Sequence, residues 1–273
     1  MDLGVSTLLW YDHDDLTPQL EVLAEEGIGR IELRRVPEHL DYTDAGSVAR
    51  FADALANHGI AVHTLHVPDM HIIAMSGLDA AARAASVAEV KRIAEALAQA
   101  GGRMLVTHCG GPLEHENTRA RQFAAGQESI AELATFCRGL GMSIAVENSL
   151  PTRPRVGDTV AEVVELVEAL GAPNVGYCLD TSHANIGEDA VAALPLVAQR
   201  LMTLHISDND GQSDRHALPF EGTVDWGAFM PALRSADYDG VFMLEVRATA
   251  EPRATLREAG ARFDALMRMY HTD

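Results

Sequence analysis

Short apolar runs alternate along the chain with longer amphipathic ones. The short runs read as strands at Leu3–Leu8, Arg30–Leu33, Ala61–His66, Met104–His108, Ser143–Glu147, Val175–Leu179, Met202–Ile206 and Val241–Glu245. Between them the apolar positions recur at helical spacing, over Asp14–Glu26, Thr43–Asn57, Ala80–Ala100, Thr118–Leu140, Asp158–Leu170, Asp225–Ser235 and Pro252–Tyr270. Several of these stretches carry end signals, with Asp158 as a cap and Gly27, Gly59, Gly101, Gly141 and Gly171 just past the last turn. Over 273 residues these eight strands and seven helical stretches read as eight strand–helix units, the helix after the sixth strand carrying no signal of its own. Each unit is then about 34 residues long, close to the ~30 that a βα unit needs. There is no Pro- or Ser-rich linker, charge block or low-complexity segment to break the series. The pattern predicts an α/β fold: one (β/α)8 barrel domain covering residues 1–273. A doubly wound open sheet is the alternative. It would usually place a Gly-rich phosphate turn after the first strand, where this chain has LLWYDHDD.

The strands end on unusual residues. His66 ends AVHTLH, His108 ends MLVTH, Glu147 ends SIAVE, Asp180 follows VGYCL, His205 ends LMTLH and Glu245 ends VFMLE. Buried parallel strands have little reason to finish on metal-binding groups. In a barrel, all the C-terminal strand ends lie on one face. Glu147, Asp180, His205 and Glu245, from the fifth to the eighth strand, then form a shell of three carboxylates and one imidazole. That shell suits Mn²⁺, Zn²⁺ or Co²⁺, and Mg²⁺ less well. Without a cation, three converging carboxylates would repel, and at least one would be protonated. His66, His108 and His183 add a second layer at or just beyond strand ends. His63 points away from His66 by strand alternation, and it reads as a surface or core histidine, as do His13, His39, His58, His71, His115 and His271. After His205, Asp214 and His216 stand two residues apart, so in an extended segment both side chains face the same way. Asp208 to Gly211 has the composition of a turn that folds this loop back.

Composition narrows the function classes. The apolar fraction is 47% and the charged fraction 22%, both ordinary for a globular protein. The net charge of -19 disfavours broad contact with nucleic acid or an anionic membrane. No apolar run is long enough to span a bilayer, and the N-terminus MDLGVSTLLWYDHDD lacks a basic n-region and a small-residue cleavage site. With Cys109, Cys137 and Cys178 forming no CxxC pattern, a reducing cytoplasm is the expected location. Cys109 and Cys178 read as small buried apolar groups. Glu32, Arg34 and Arg247 end or follow strands and are candidates to orient polar substrate groups, with a role as surface ion-pair partners the equal alternative for Arg34 and Arg247. Trp10, Tyr11 and Phe220 are expected to pack at the core or the rim, with lining a sugar as the alternative.

The stretches GYCLDTSHA, HISDNDG with DRH, EGTVDW and the Glu of MLEV resemble the xylose isomerase-like TIM-barrel superfamily. That group holds sugar isomerases and epimerases and the endonuclease IV type of apurinic endonuclease. The resemblance runs from the first strand to the eighth and implies a TIM barrel. On the epimerase branch it implies one metal held by Glu147, Asp180, His205 and Glu245. Glu147 and Glu245 would act as the catalytic acid/base pair, and His183 would contact substrate. On the endonuclease branch it implies three zinc ions. His66, His108 and Glu147 would hold one, and Glu147 would bridge to a second with Asp180, His205 and Glu245. His183, Asp214 and His216 would hold the third. The expected activity is metal-dependent isomerisation or epimerisation of a small sugar or sugar derivative, with one to three divalent ions, Mn²⁺ or Zn²⁺, as cofactor. The alternatives are a trinuclear-zinc phosphodiesterase, a hydrolase or dehydratase, and a non-catalytic sugar-binding barrel. Against DNA, the loop SLPTRPRVGDT supplies only Arg153 and Arg155. Nothing in the sequence fixes the oligomeric state.

Overall fold

The computed structural model describes residues 1–248 and 251–272. Its strands are β1 (Asp2–Ser6), β2 (Arg30–Leu33), β3 (Ala61–His66), β4 (Met104–His108), β5 (Ser143–Glu147), β6 (Val175–Asp180), β7 (Leu201–His205) and β8 (Val241–Leu244). They pair in parallel and in sequence order, and β8 returns to β1. Ile206 completes the ring: its N–H donates to Met243 O at 2.8 Å, and its carbonyl accepts from Glu245 N at 3.0 Å. This is the predicted barrel.

The helices are α1 (Thr17–Glu25), α2 (Ala45–Asn57), α3 (Asp69–Ser76), α4 (Ala80–Gln99), α5 (Arg119–Gly139), α6 (Val160–Leu170), α7 (Thr181–Gly187), α8 (Ala190–Val197), α9 (Trp226–Ser235) and α10 (Pro252–His271). One apolar cluster fills the layer between strands and helices, with Leu23, Ile31, Ile93, Leu133, Leu166, Phe229, Phe242 and Leu266 all fully or nearly fully buried. Inside the barrel the packing is smaller, with Val106, Ala145 and Cys178 flanked by Met104 and Met202. The helix ends are made locally. Asp44, Asp79, Asp189 and Thr159 each accept first-turn N–H groups, and Gly171 closes α6 at φ +57°.

Three differences from the sequence reading have physical causes. The strand expected over Leu3–Leu8 stops at Ser6, whose hydroxyl accepts from Leu8 N at 3.3 Å and starts a 3₁₀ turn over Thr7–Trp10. Helices α3, α7 and α8 were not predicted. In α8 the run AVAALPLV is apolar nearly throughout and carries Pro195, so it shows no amphipathic stripe. His63 does not point away from the interior. A register shift between β2 and β3 turns it inward, with Nε2 3.2 Å from Thr203 Oγ1 on β7.

The long loop after β7 folds back on Asp208, which is fully buried. Its carboxylate accepts from Asn209 N at 2.9 Å, Phe220 N at 2.9 Å, Val224 N at 3.1 Å and Trp226 Nε1 at 2.9 Å. The chain passes so close there that a Cβ on Gly222 would stand 2.1 Å from Asn209 O and 2.3 Å from Asp208 Oδ1. Gly222→Ala is therefore expected to destabilise the fold by about 1–3 kcal/mol in urea unfolding, and an unchanged midpoint would show that the loop yields freely.

Candidate metal centre and active site

Strand register does much of the assembly. His108 lies beside Glu147, and Asp180 beside His205. The side chains converge on the carboxylate of Glu147. Its Oε2 is 3.1 Å from His66 Nε2 and 3.7 Å from His108 Nε2, and its Oε1 is 3.2 Å from His205 Nδ1 and 3.4 Å from His183 Nδ1. Glu245 Oε2 lies 3.4 Å from His205 Nδ1. Single ligand atoms of Glu147, Asp180, His205 and Glu245 all lie within 4.8 Å of one another, as do those of His66, His108 and Glu147. Asp214, on the loop after β7, reaches His216 Nε2 at 3.1 Å and His183 Nε2 at 3.6 Å. Every expected metal-site residue is thus at one end of the barrel.

Four of the imidazoles are also held by groups other than the converging side chains. His66 Nδ1 donates to Val67 O at 2.8 Å, His183 Nδ1 to Asn148 O at 2.9 Å and His216 Nδ1 to Glu245 O at 3.0 Å. His205 uses Nε2, 2.8 Å from Glu32 Oε2. For His66, His205 and His216 this leaves the other ring nitrogen turned inward, the usual arrangement for metal-ligating histidines. His216 keeps its place at φ +46°, a left-handed conformation that costs a non-glycine residue energy.

The test of fit to a cation lies in the buried atoms without partners. Asp180 Oδ2, His205 Nδ1 and Glu245 Oε1 are buried and accept or donate no hydrogen bond. Such atoms are expensive unless something charged faces them. Three of the four residues in the mixed shell thus present an unsatisfied atom, and the donor set fits a divalent transition ion. Cys178 is also within reach. Burial pushes its thiol upward, which makes it a neutral wall of the site.

Charge within the site is strongly polarised. Burial pushes the Asp180 carboxyl up to about 7, with Glu147, Glu245 and Asp214 adding to the effect and His183 opposing it. Burial also opposes ionisation of Glu32, but His205 outweighs it and holds that carboxyl down to about 2. Burial lowers His108 to about 3, against the pull of Glu147. His183 resists its own burial and is held up at about 10 by Asp180 and Asp214.

The residues expected to touch substrate separate. Glu32 is fully buried and takes hydrogen bonds from Ser6 Oγ at 3.1 Å and Thr64 Oγ1 at 2.8 Å as well as facing His205, so it supports that imidazole and does not line the mouth. Arg247 is at the mouth, in a cavity of about 350 Å³ that also includes Tyr11, Arg34, His66, Asp69 and His216. Trp10 is buried in the core, and Phe220 packs on Trp226 in the wall of the β7 loop. Asn148 was not anticipated. It pairs with the backbone of Asp180 in both directions, at 3.0 and 2.8 Å, while its own carbonyl holds His183. Its one sequence signal was its position directly after the strand-end Glu147. Asp180 was read only as a ligand, yet its Oδ1 also caps α7 by accepting from His183 N at 2.8 Å.

The family described as xylose isomerase-like TIM barrel matches residues 20–266. The chain belongs to that family. Among its relatives, a D-psicose 3-epimerase of Agrobacterium fabrum is 30% identical over 237 residues, spanning 84% of this chain and 78% of that protein. A ketose 3-epimerase of Arthrobacter globiformis is 28% identical over 253 residues, spanning 90% of this chain and 83% of that protein. Solved structures of the xylose isomerase-like fold superimpose closely. The IOLI protein with a bound zinc atom does so with a TM-score of 0.86 at 19% identity over 100% of both chains. A D-psicose 3-epimerase in the presence of D-fructose gives a TM-score of 0.84 at 22% identity, also over 100% of both chains.

Two outcomes follow from the electrostatics. Glu32→Gln weakens the fixing of His205 and is expected to lower affinity for Mn²⁺ or Zn²⁺ by about 10–100-fold in calorimetry, with no loss of fold by circular dichroism. The Asp180 carboxyl lies at about 7 in the fold against an ordinary 3.8. The stability it lends by staying neutral is full below its ordinary value and is lost as pH rises through about 7. A cation must displace that proton, so the affinity of chelator-treated protein is expected to climb with pH and level off above about 7. Affinity independent of pH between 5.5 and 8 (roughly) would contradict this.

Proposed function

We propose that this protein is a divalent-metal-dependent epimerase or isomerase of a sugar of the ketose class. The observation that carries the reading is the pair Glu147 and Glu245. Both are buried in one cluster, and both lie against His205. The activities of the named relatives agree with it. Glu147, Asp180, His205 and Glu245 would hold the ion, here Mn²⁺ or Zn²⁺. A bound cation would supply positive charge to the substrate oxygens on which negative charge develops as the carbon-bound proton leaves.

The chain's own residues do the rest. One glutamate removes the proton from the carbon next to the carbonyl. The other, as its acid form, returns a proton from the opposite side, which inverts that carbon. Arg34 Nε, 3.4 Å from Glu245 Oε1, orients that carboxylate. His183, clamped between Asn148 O and Asp214, holds positive charge beside Glu147, where it offsets negative charge on the substrate oxygens. The buried setting keeps water from the reacting carbon.

A second reading has one observation in its favour: His66, His108, His183, Asp214 and His216 gather around the same carboxylates, as a trinuclear phosphodiesterase would need. The net charge of -19 weighs against a nucleic-acid substrate.

Incubation with ketoses in deuterated water, read by NMR, tests the proposal. Solvent deuterium at the carbon next to the carbonyl is expected. Cleavage of an abasic duplex without exchange would overturn it. Glu147→Gln and Glu245→Gln are each expected to reduce exchange by at least about 10³-fold, since each removes a group required for proton transfer. Metal content by mass spectrometry, combined with His216→Ala, counts the ions. With a single ion, His216→Ala leaves the metal content and turnover near wild type. With three, it loses an ion and most activity.

A further inference from the structure

The mouth cavity runs against the charge of the whole molecule. The chain carries 21 Lys and Arg against 40 Asp and Glu. The cavity wall, in contrast, brings three arginines, Arg34, Arg35 and Arg247, together with two carboxylates, Glu38 and Asp69. Glu38 is engaged by Arg35 at 3.5 Å, and Arg35 is further held by Asp14 at 3.1 Å. Asp69 faces Arg34, and it also lies in the field of Arg155 from the loop after β5. Among the described residues, two donors remain unanswered. Arg34 Nη1 is a buried atom with no hydrogen-bond partner, although Nε of the same group lies on Glu245. Arg247 is exposed at the rim, and its guanidinium carbon stands 5.4 Å from the centre of the Tyr11 ring. Arg35 stands 5.2 Å from the same ring. Planar guanidiniums present paired donors that match carboxylate and phosphate oxygens.

From this arrangement we infer that the substrate carries an anionic oxygen group, a carboxylate or a phosphate ester, seated by Arg34 Nη1 and Arg247. The placement fits the chemistry of the cluster. Arg247 lies two residues beyond Glu245 at the end of β8, and Arg34 touches Glu245 directly. The anionic group would therefore sit at the far end of a short chain whose reacting carbon is over the cluster. Remote charge of this kind is binding energy that orients the reacting carbon.

The inference rests on the epimerase reading of the same site, and two separate measurements distinguish them. Calorimetry on the protein with its bound ions uses three unreactive five-carbon compounds that differ at one end: xylitol, xylonate and xylitol 5-phosphate. One of the two anions is expected to bind at least about tenfold more tightly than xylitol, and which one wins identifies the group. Arg247→Met is expected to remove most of that advantage while leaving xylitol binding within about twofold, and Arg247→Lys is expected to retain part of it. Equal affinity for all three compounds would overturn the inference. So would an anion preference that survives Arg247→Met, because the anion would then be bound on the metal and not on the guanidinium. Deuterium exchange into ketoses tests only the epimerase reading. Exchange into neutral ketoses without an anion preference keeps that reading and discards the subsite. An Arg247-dependent anion preference without exchange into any ketose does the reverse.

Discussion

Like charges cannot be buried together without compensation, and this barrel buries several. Glu147, Asp180 and Glu245 meet within one small space under a rim of histidines. At the separations involved, mutual repulsion in a protein interior exceeds what a hydrogen bond returns. Much of the structure around them serves to keep these groups facing inward despite that cost. Glu32 fixes His205 from below, Asn148 fixes both Asp180 and His183, and Asp208 anchors the loop that delivers Asp214 and His216. A divalent cation is the simplest counter-charge for such an arrangement, and the atoms of Asp180, His205 and Glu245 that make no hydrogen bond are where it would act.

The same constraint links fold to chemistry. Parallel strands bring their C-terminal ends to one face, so groups far apart in sequence become neighbours without a specialised loop. His66 and Glu147 are 81 residues apart in sequence, and His205 and Glu32 are 173 apart. A single carboxylate at the centre is shared among four imidazoles, so any change at Glu147 is felt by every part of the site.

The fold and the inner shell were legible from sequence for one reason. A buried strand is uniformly apolar, so a charged terminal residue stands out against it, as Glu147 does after SIAV and His205 after LMTL. The supports were less legible. Glu32 sits inside a strand-like run, and only the register shift with β3 and the hydrogen bonds from Ser6 and Thr64 show that it faces His205. Asp208 read as a turn residue because its partners, Phe220, Val224 and Trp226, lie 12 to 18 residues downstream. Helix α8 escaped because an apolar run with Pro195 has no periodic stripe. For Glu32 and Asp208 the missing information was a tertiary contact, which no local pattern encodes.

The central claim is that Glu147, Asp180, His205 and Glu245 share a cation. Crystals of the protein measured on either side of the absorption edge of its bound metal test this directly. An anomalous peak enclosed by these four side chains is expected. Anomalous density only elsewhere, or no density in a crystal grown with excess Mn²⁺ and Zn²⁺, would contradict it.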